Sequence, residues 1–307
     1  MAEICGPDGE AGNWSLVPVV SAAMPMYQDY RMLSSDQLEL LEKQTLRTIV
    51  QALQEYSREA REIFETTAAQ SETEVIVLAE DLVQYALEVA EVYPIDKRFA
   101  GFIDYKRVRW LPTPFGLFPQ ALLVDAKAST ENTRGTLQHS QLPMDAEYVA
   151  KVGGIPTTVT LSAGIPPHLE IDAYGGRQLV AITTSVFIHF YYKGTGHARG
   201  RFRELRSIYV LGLPHRELKD KYNPDASTTF FGKGKEAPSL GEPARIRVYF
   251  TRLKRACPWR LQQLQYVEGQ PYALPVWRDA DEVTGEEVTE SFTFIGRGVE
   301  VTHPPPE

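Results

Sequence analysis

The chain has 307 residues, 43% hydrophobic and 23% charged, enough apolar material for one large folded domain or two small ones. Cys5 and Cys257 are too few and too far apart for a disulfide framework or a cysteine-based metal site, and no run approaches the roughly 18 apolar residues of a membrane span. The acid-bearing N-terminus (Glu3, Asp8, Glu10) lacks the basic flank of a secretory signal, so a cytoplasmic address is expected. The net charge of -8 hides a segregation. Residues 1–92 carry 17 acids and 5 bases, residues 93–267 carry 14 acids and 25 bases, and residues 268–307 carry 9 acids and 2 bases. A basic centre between acidic ends suggests a polyanion surface on a chain that is acidic as a whole.

Residues 1–26 mix Gly, Pro and Ala without a sustained period and read as a loose arm. From Leu33 the pattern becomes helical. Ser34 with Gln37 makes a capping box, and Leu38, Leu41, Leu46, Ile49, Leu53, Tyr56 and Ile63 recur on one face. A second helix, with Ile76, Val83, Leu87 and Ala90 on one side, is predicted to end before Pro94. Strands are predicted over 99–110 and 120–129, separated by a proline- and glycine-bearing turn, and again over 180–192 and 207–213, which are rich in β-branched and aromatic residues. Residues 217–243 are loop-rich. Residues 245–250 alternate, with Ile246, Val248 and Phe250 on one face and Arg245, Arg247 and Tyr249 on the other. Helices first and a central mixed sheet after them make a single α/β or α+β domain.

Several common sites are excluded. Gly194-Thr195-Gly196 has its next glycine at Gly200, one residue too late for a dinucleotide turn. Gly232-Lys233 lacks the Ser or Thr of a phosphate-binding loop, and the six histidines have no zinc spacing. His189, inside an apolar strand, reads as a hydrogen-bonded core residue. What remains is the stretch 122–129. Leu122, Val124, Ala126 and Ala128 share one strand face, and Leu123, Asp125, Lys127 and Ser129 share the other. A carboxylate there can hold a hard divalent cation, while the amine two residues on orients or deprotonates a water for attack on phosphorus. Asp104, 21 residues upstream on the preceding strand, offers the second carboxylate. The set is the nuclease pattern written PD-(D/E)xK.

The bare pattern is weak, because acid-x-Lys also occurs at Asp104/Lys106 and Glu217/Lys219; the buried run before Asp125 and the acid upstream single out Asp125/Lys127. Glu80 and Asp81 offer a further ligand from the second helix, against the simpler reading of a solvated helix end. Residues 245–260 contain Arg245, Arg247, Arg252, Lys254, Arg255 and Arg260 and no acid, which fits a strand laid along a DNA groove; a solvated strand edge is the alternative. Arg199, Arg201, Arg203 and Arg206 form a further basic run beside His197, and Arg134 lies just beyond the proposed active strand. On residues alone, three readings stay open: a nuclease, a DNA-binding module without catalysis, and a metal-dependent phosphodiesterase of another substrate.

Residues 42–50, 99–110 and 124–130 (Val124-Asp125-Ala126-Lys127-Ala128-Ser129-Thr130) resemble the SfiI-type type II restriction endonucleases of the PD-(D/E)xK superfamily, and the resemblance runs from near Met26 to about Phe294. It implies a central mixed β-sheet flanked by helices, a restriction-endonuclease-like core with N-terminal helices spanning 27–297, an arm over 1–26 and a tail over 298–307. It implies Mg2+, double-stranded DNA as partner, and self-association as a homotetramer or a dimer. Cleavage would fall within an interrupted palindrome of GGCC half-sites. The catalytic set falls on Asp104, Asp125 and Lys127, with Asp104, Asp125 and the Ala126 carbonyl as metal ligands. Arg134, Arg245, Arg247, Arg252 and Lys254 are the DNA-binding candidates. Ile103 stands where the pattern has proline, at a structural position.

Overall fold

The computed structural model describes residues 29–66, 72–89, 103–173, 177–195, 202–234, 245–281, 284–295 and 298–302. Three helices come first: α1 (Ser35–Glu55), α2 (Ser57–Thr66) and α3 (Glu72–Val89). The cap of α1 is the expected one, with the Gln37 N–H donating to Ser34 Oγ at 3.2 Å and the Ser34 N–H to Gln37 Oε1 at 2.9 Å. The expected apolar stripe continues past residue 55, but the chain breaks at Tyr56, so the long helix becomes two.

Strands follow in the order β1 (Tyr105–Thr113), β2 (Gly116–Ser129), β3 (Arg134–Leu137), β4 (Ala146–Val152), β5 (Ile155–Leu161), β6 (His168–Ala173), β7 (Arg177–Thr195) and β8 (Phe202–Leu213). Then come α4 (Lys219–Tyr222), β9 (Phe231–Lys233), β10 (Ile246–Tyr249) and α5 (Phe250–Ala256), and the chain closes with β11 (Leu261–Tyr266), β12 (Ala273–Ala280), β13 (Glu287–Ile295) and β14 (Gly298–Thr302). The large sheet runs β1-β2-β7-β8-β11-β12-β13-β14, with β6 also on β7. It is mixed because β2 and β7 are parallel while its other pairs are antiparallel.

Two differences from the sequence reading concern prolines and the C-terminus. The turn between β1 and β2 is tighter than expected: Pro112 lies inside β1, opposite Leu117, because β1 ends the strand order and its exposed proline has no further strand to bond on that side. Residues 298–302, read as part of a tail, pair with β13 and extend the sheet. The arm expected over residues 1–26 lies outside the described residues.

The sheet buries both faces. Leu122, Val124 and Ala126 of β2, with Val186, Ile188 and Phe190 of β7, pack against α1, α2 and α3. Full burial of each of the larger apolar side chains is worth about 1.5–3 kcal/mol, which holds the helical layer to the sheet. On the other face, Phe187, Leu211 and Leu213 pack against a second, three-stranded sheet, β3-β10-β9, and against α5. Ile246 and Val248 of β10 are fully buried there, as the alternation required, whereas Phe250 starts α5 instead of continuing the strand. The hairpin β4-β5, closed by Gly153 and Gly154 at positive φ, was not foreseen.

Candidate active site and nucleic-acid face

Tyr105 pairs with Val124 at the start of the antiparallel β1-β2 ladder, and one more step of that register sets Asp104 opposite Asp125. On β2, Asp125 points away from the face that Leu122, Val124 and Ala126 pack against the helices, and Asp104 stands just before β1 at the same level. Ile103 helps anchor this point: it is buried against Leu123 and Ile165, the apolar work its place before Asp104 calls for. Asp104 Oδ2 accepts the Ala126 N–H at 2.6 Å, which ties the two strand ends together.

Lys127 reaches back over the pair. Its Nζ donates to Asp125 Oδ1 at 3.0 Å and to the Ala126 carbonyl at 3.2 Å, lies 2.9 Å from Asp125 Oδ2, and stands 4.0 Å from Asp104 Oδ2. The ammonium thus straddles both oxygens of the Asp125 carboxylate, of which Oδ2 is buried. Asp125 is 5% exposed. Burial pushes its carboxyl up to about 8; Lys127 works against that and the Asp104 carboxylate adds to it.

Glu80 of α3 belongs to the same neighbourhood. It is half-buried and its carboxyl is raised by burial and by Asp104, with Lys127 opposing. Glu80 lies inside α3 and is half-buried, so it is not the solvated helix end of the simpler reading. Asp81, the next residue, is exposed. Among the described residues no three His, Cys, Asp or Glu side chains converge as a complete metal cage. Two carboxylates and one main-chain carbonyl do converge on the Lys127 ammonium, which stands where a cation of the same sign would be drawn. An all-oxygen donor set of two carboxylates and a main-chain carbonyl fits a hard divalent cation.

One polar residue near the site, Gln141, went unread in the sequence. The Gln141 amide donates from Nε2 to Asp125 Oδ1, and Gln141 is 3% exposed. Nothing local marked it, since a single glutamine after a short strand has no distinctive neighbours. Ser129 Oγ takes the Glu131 N–H at 3.0 Å and closes the turn after β2. His189 is the hydrogen-bonded core residue expected, with Nε2 2.6 Å from the Glu131 carbonyl and its ring against Phe250.

The basic candidates separate. Arg134 and Arg247 lie on the outer face of the three-stranded sheet, Arg134 opposite Tyr249 and Arg247 opposite Thr136. Arg247 and Arg252 line a cavity of about 600 Å3 together with Tyr148, Lys151, Lys233 and Tyr249. The guanidinium of Arg252 stacks 4.5 Å from the Tyr249 ring centre, and that ring covers Gly232, where an added Cβ would come within 2.5 Å of it. Arg134 is held by Glu131 at 3.1 Å, and Arg245 enters β10 half-buried. Lys254 is turned elsewhere, to Glu287 at 2.8 Å.

Arg260 is removed from the basic surface altogether. It is fully buried and bonds Glu42 at 2.7 Å, because its segment passes under α1. Arg203 is also buried, over the Tyr192 ring, and Arg206 pairs with Glu204. Arg199, Arg201 and His197 lie outside the described residues. Lys219 of the third acid-x-Lys pair bonds Glu147 at 3.2 Å, in line with a structural surface pair.

Comparison with known proteins places the chain as a whole. The family model for the type II restriction enzyme SfiI matches residues 53–264. The type II restriction enzyme SfiI of Streptomyces fimbriatus is 64% identical over 272 residues, covering 89% of this chain and 100% of that protein. The crystal structure of tetrameric restriction endonuclease SfiI bound to cognate DNA superposes with a TM-score of 0.81 at 64% identity, over 89% of this chain and 100% of that one. Restriction endonuclease BglI bound to its DNA recognition sequence superposes with a TM-score of 0.56 at 14% identity, over 74% of this chain and 90% of that one, a likeness of fold alone. No described helix is long and apolar enough to cross a membrane. With its mixed sheet, its paired aspartates and these matches along most of its length, the chain belongs to the SfiI family of type II restriction enzymes.

Proposed function

We propose that this chain cuts double-stranded DNA at a specific interrupted palindrome, two GGCC half-sites around a spacer, in a Mg2+-dependent hydrolysis carried out in the cytoplasm by a homotetramer. The observation that carries the catalytic part is the convergence of Asp104, Asp125 and the Ala126 carbonyl on one positive charge at Lys127. Asp104 and Asp125 would hold the metal, with the Ala126 carbonyl as a third oxygen donor. When bound, the metal supplies positive charge against the scissile phosphate. Lys127, two residues from Asp125 on the same strand face, orients the attacking water and stabilises the negative charge that grows on phosphate oxygens. The full 64% match to a relative described as tetrameric and bound to cognate DNA supports the assembly and the substrate.

Recognition falls to the outer face of the three-stranded sheet. Arg247 sits at its centre between Thr136 and Gly232, and Arg134 and Arg252 flank it. Arg245 at the strand's entry completes the row, whereas Lys254, engaged with Glu287, is the weakest of the DNA-binding candidates. Arg247→Ala is expected to cost about 1–3 kcal/mol of cognate binding and to relax selection at one base pair. A competition assay between cognate duplex and a single-substitution duplex reads this; equal affinity and equal selectivity would remove Arg247 from base reading.

The primary test is a digest of a plasmid carrying two GGCC-type sites, with Mg2+ and with a chelator, followed by sequencing of the ends. Discrete ends only with Mg2+ are expected. Binding without cutting would leave the DNA-binding reading, and cleavage of a small phosphodiester but not of DNA would leave the phosphodiesterase reading.

A further inference from the structure

We infer that Gln141 is a positioning residue that ties the metal-binding carboxylate of Asp125 to the strand of the DNA-reading sheet; the inference rests on the metal-site and recognition readings above. The geometry has three parts. Gln138, the residue directly after β3, donates its backbone N–H to Gln141 Oε1 at 2.7 Å. With its oxygen held by a donor that has no alternative sign, the amide must turn its Nε2 hydrogens outward. Nε2 then donates to Asp125 Oδ1, at 3% exposure for the glutamine and 5% for the aspartate.

Oδ1 thereby takes hydrogen bonds from Gln141 and Lys127, while Oδ2 faces the Lys127 ammonium at 2.9 Å and is left free of the Gln141 amide. A carboxylate pinned on one oxygen presents the other in a fixed direction, which is how groups behind a metal ligand raise affinity. The pin is not anchored in the large sheet that carries Asp125. Gln138 follows Leu137, and Leu137 pairs with Ile246 while Thr136 pairs with Arg247. Gln138, at the end of β3, is thus joined to Asp125 through the Gln141 amide. The route is short: one backbone N–H, one side-chain amide, one carboxylate.

Two variants of the full chain test this. Gln141→Met keeps the length and volume of the side chain and removes the donor. Gln138→Pro removes the N–H that pins Gln141 together with the Gln138 side-chain amide, so Gln138→Ala, which keeps the N–H, is its control; φ at Gln138 is -79° and the preceding residue is in a strand, so proline fits the backbone there. Mn2+ binding to the protein alone, read by electron paramagnetic resonance, is measured beside the Mg2+ concentration for half-maximal single-turnover cleavage. In Gln141→Met both constants are expected to rise by about 10–100-fold, with metal-free affinity for duplex DNA unchanged. In Gln138→Pro both rise in the same direction and less. A merely structural glutamine would lower the active fraction and leave both metal constants where they are.

Unchanged metal constants in both variants, with wild-type binding and cleavage intact, would overturn the inference alone. Should Gln141→Met fail to fold, Gln138→Pro decides by itself. A wild-type protein that neither binds Mn2+ nor cuts DNA would overturn the metal-site reading on which the inference rests.

Discussion

Asp125→Asn is expected to abolish DNA cleavage, by at least about 10³-fold, and to stabilise the metal-free protein. The two effects have one origin. Asp125 is almost wholly buried, and its carboxyl is pushed up to about 8 by burial, with Asp104 adding to the effect. A carboxylate kept protonated by the fold but ionised in the unfolded chain binds more protons in the native state between pH ~4 and ~8. That contribution to stability is complete below the unfolded value near 4 and is lost as the pH rises toward 8, at a slope of at most about 1.4 kcal/mol per unit. Asparagine never ionises, so the variant should lack this slope, and its advantage over the wild type should grow from pH 4 to pH 8. Urea denaturation in chelator at several pH values measures it. A variant that cleaves normally would remove Asp125 from the active site, and a wild type whose stability rises over that window would contradict the buried neutral acid.

Glu42→Ala is expected to cost about 3–5 kcal/mol of folding stability, without any change at the active site itself. Glu42 Oε2 bonds Arg260 Nη2 at 2.7 Å, and its other oxygen accepts the His215 N–H at 2.7 Å. Arg260 also donates to the Gly212 carbonyl at 3.2 Å and lies 4.3 Å from the ring centres of both Tyr222 and Trp259. Removing the glutamate leaves a guanidinium with no exposed surface and only Glu39, at 3.5 Å, to balance it. The cost comes from the stranded charge, so a double replacement, Glu42→Leu with Arg260→Met, should recover most of it. A loss below about 1 kcal/mol in Glu42→Ala would mean that water reaches Arg260.

Much of the site was legible because its signal is local. Asp125 and Lys127 share a strand face by the period of two, and the apolar run before them marked a buried strand. The Ser34 cap was legible for the same reason, since donor and acceptor are three residues apart. The basic segment 245–260 was legible as a composition but not as a surface. Arg247 and Arg252 do face the cavity, yet Lys254 turns to Glu287 and Arg260 disappears beneath α1. An arginine's sequence neighbours do not tell whether its charge meets solvent or a glutamate 218 positions away.

Local residue chemistry thus determined by itself that this chain has a helical start, a buried strand carrying an acid and an amine, and an arginine row alternating with apolar residues. Resemblance along its length pointed to the family. The tertiary structure alone decided that Asp104 falls opposite Asp125, that Glu80 is half-buried within α3, and that Gln141 reaches the Asp125 carboxylate. It also sorted the basic side chains into outward, paired and buried. The reason is physical: backbone periodicity acts over a few residues, whereas the register of two strands and the burial of a charge are set by which distant segments pack, and that is a property of the whole fold.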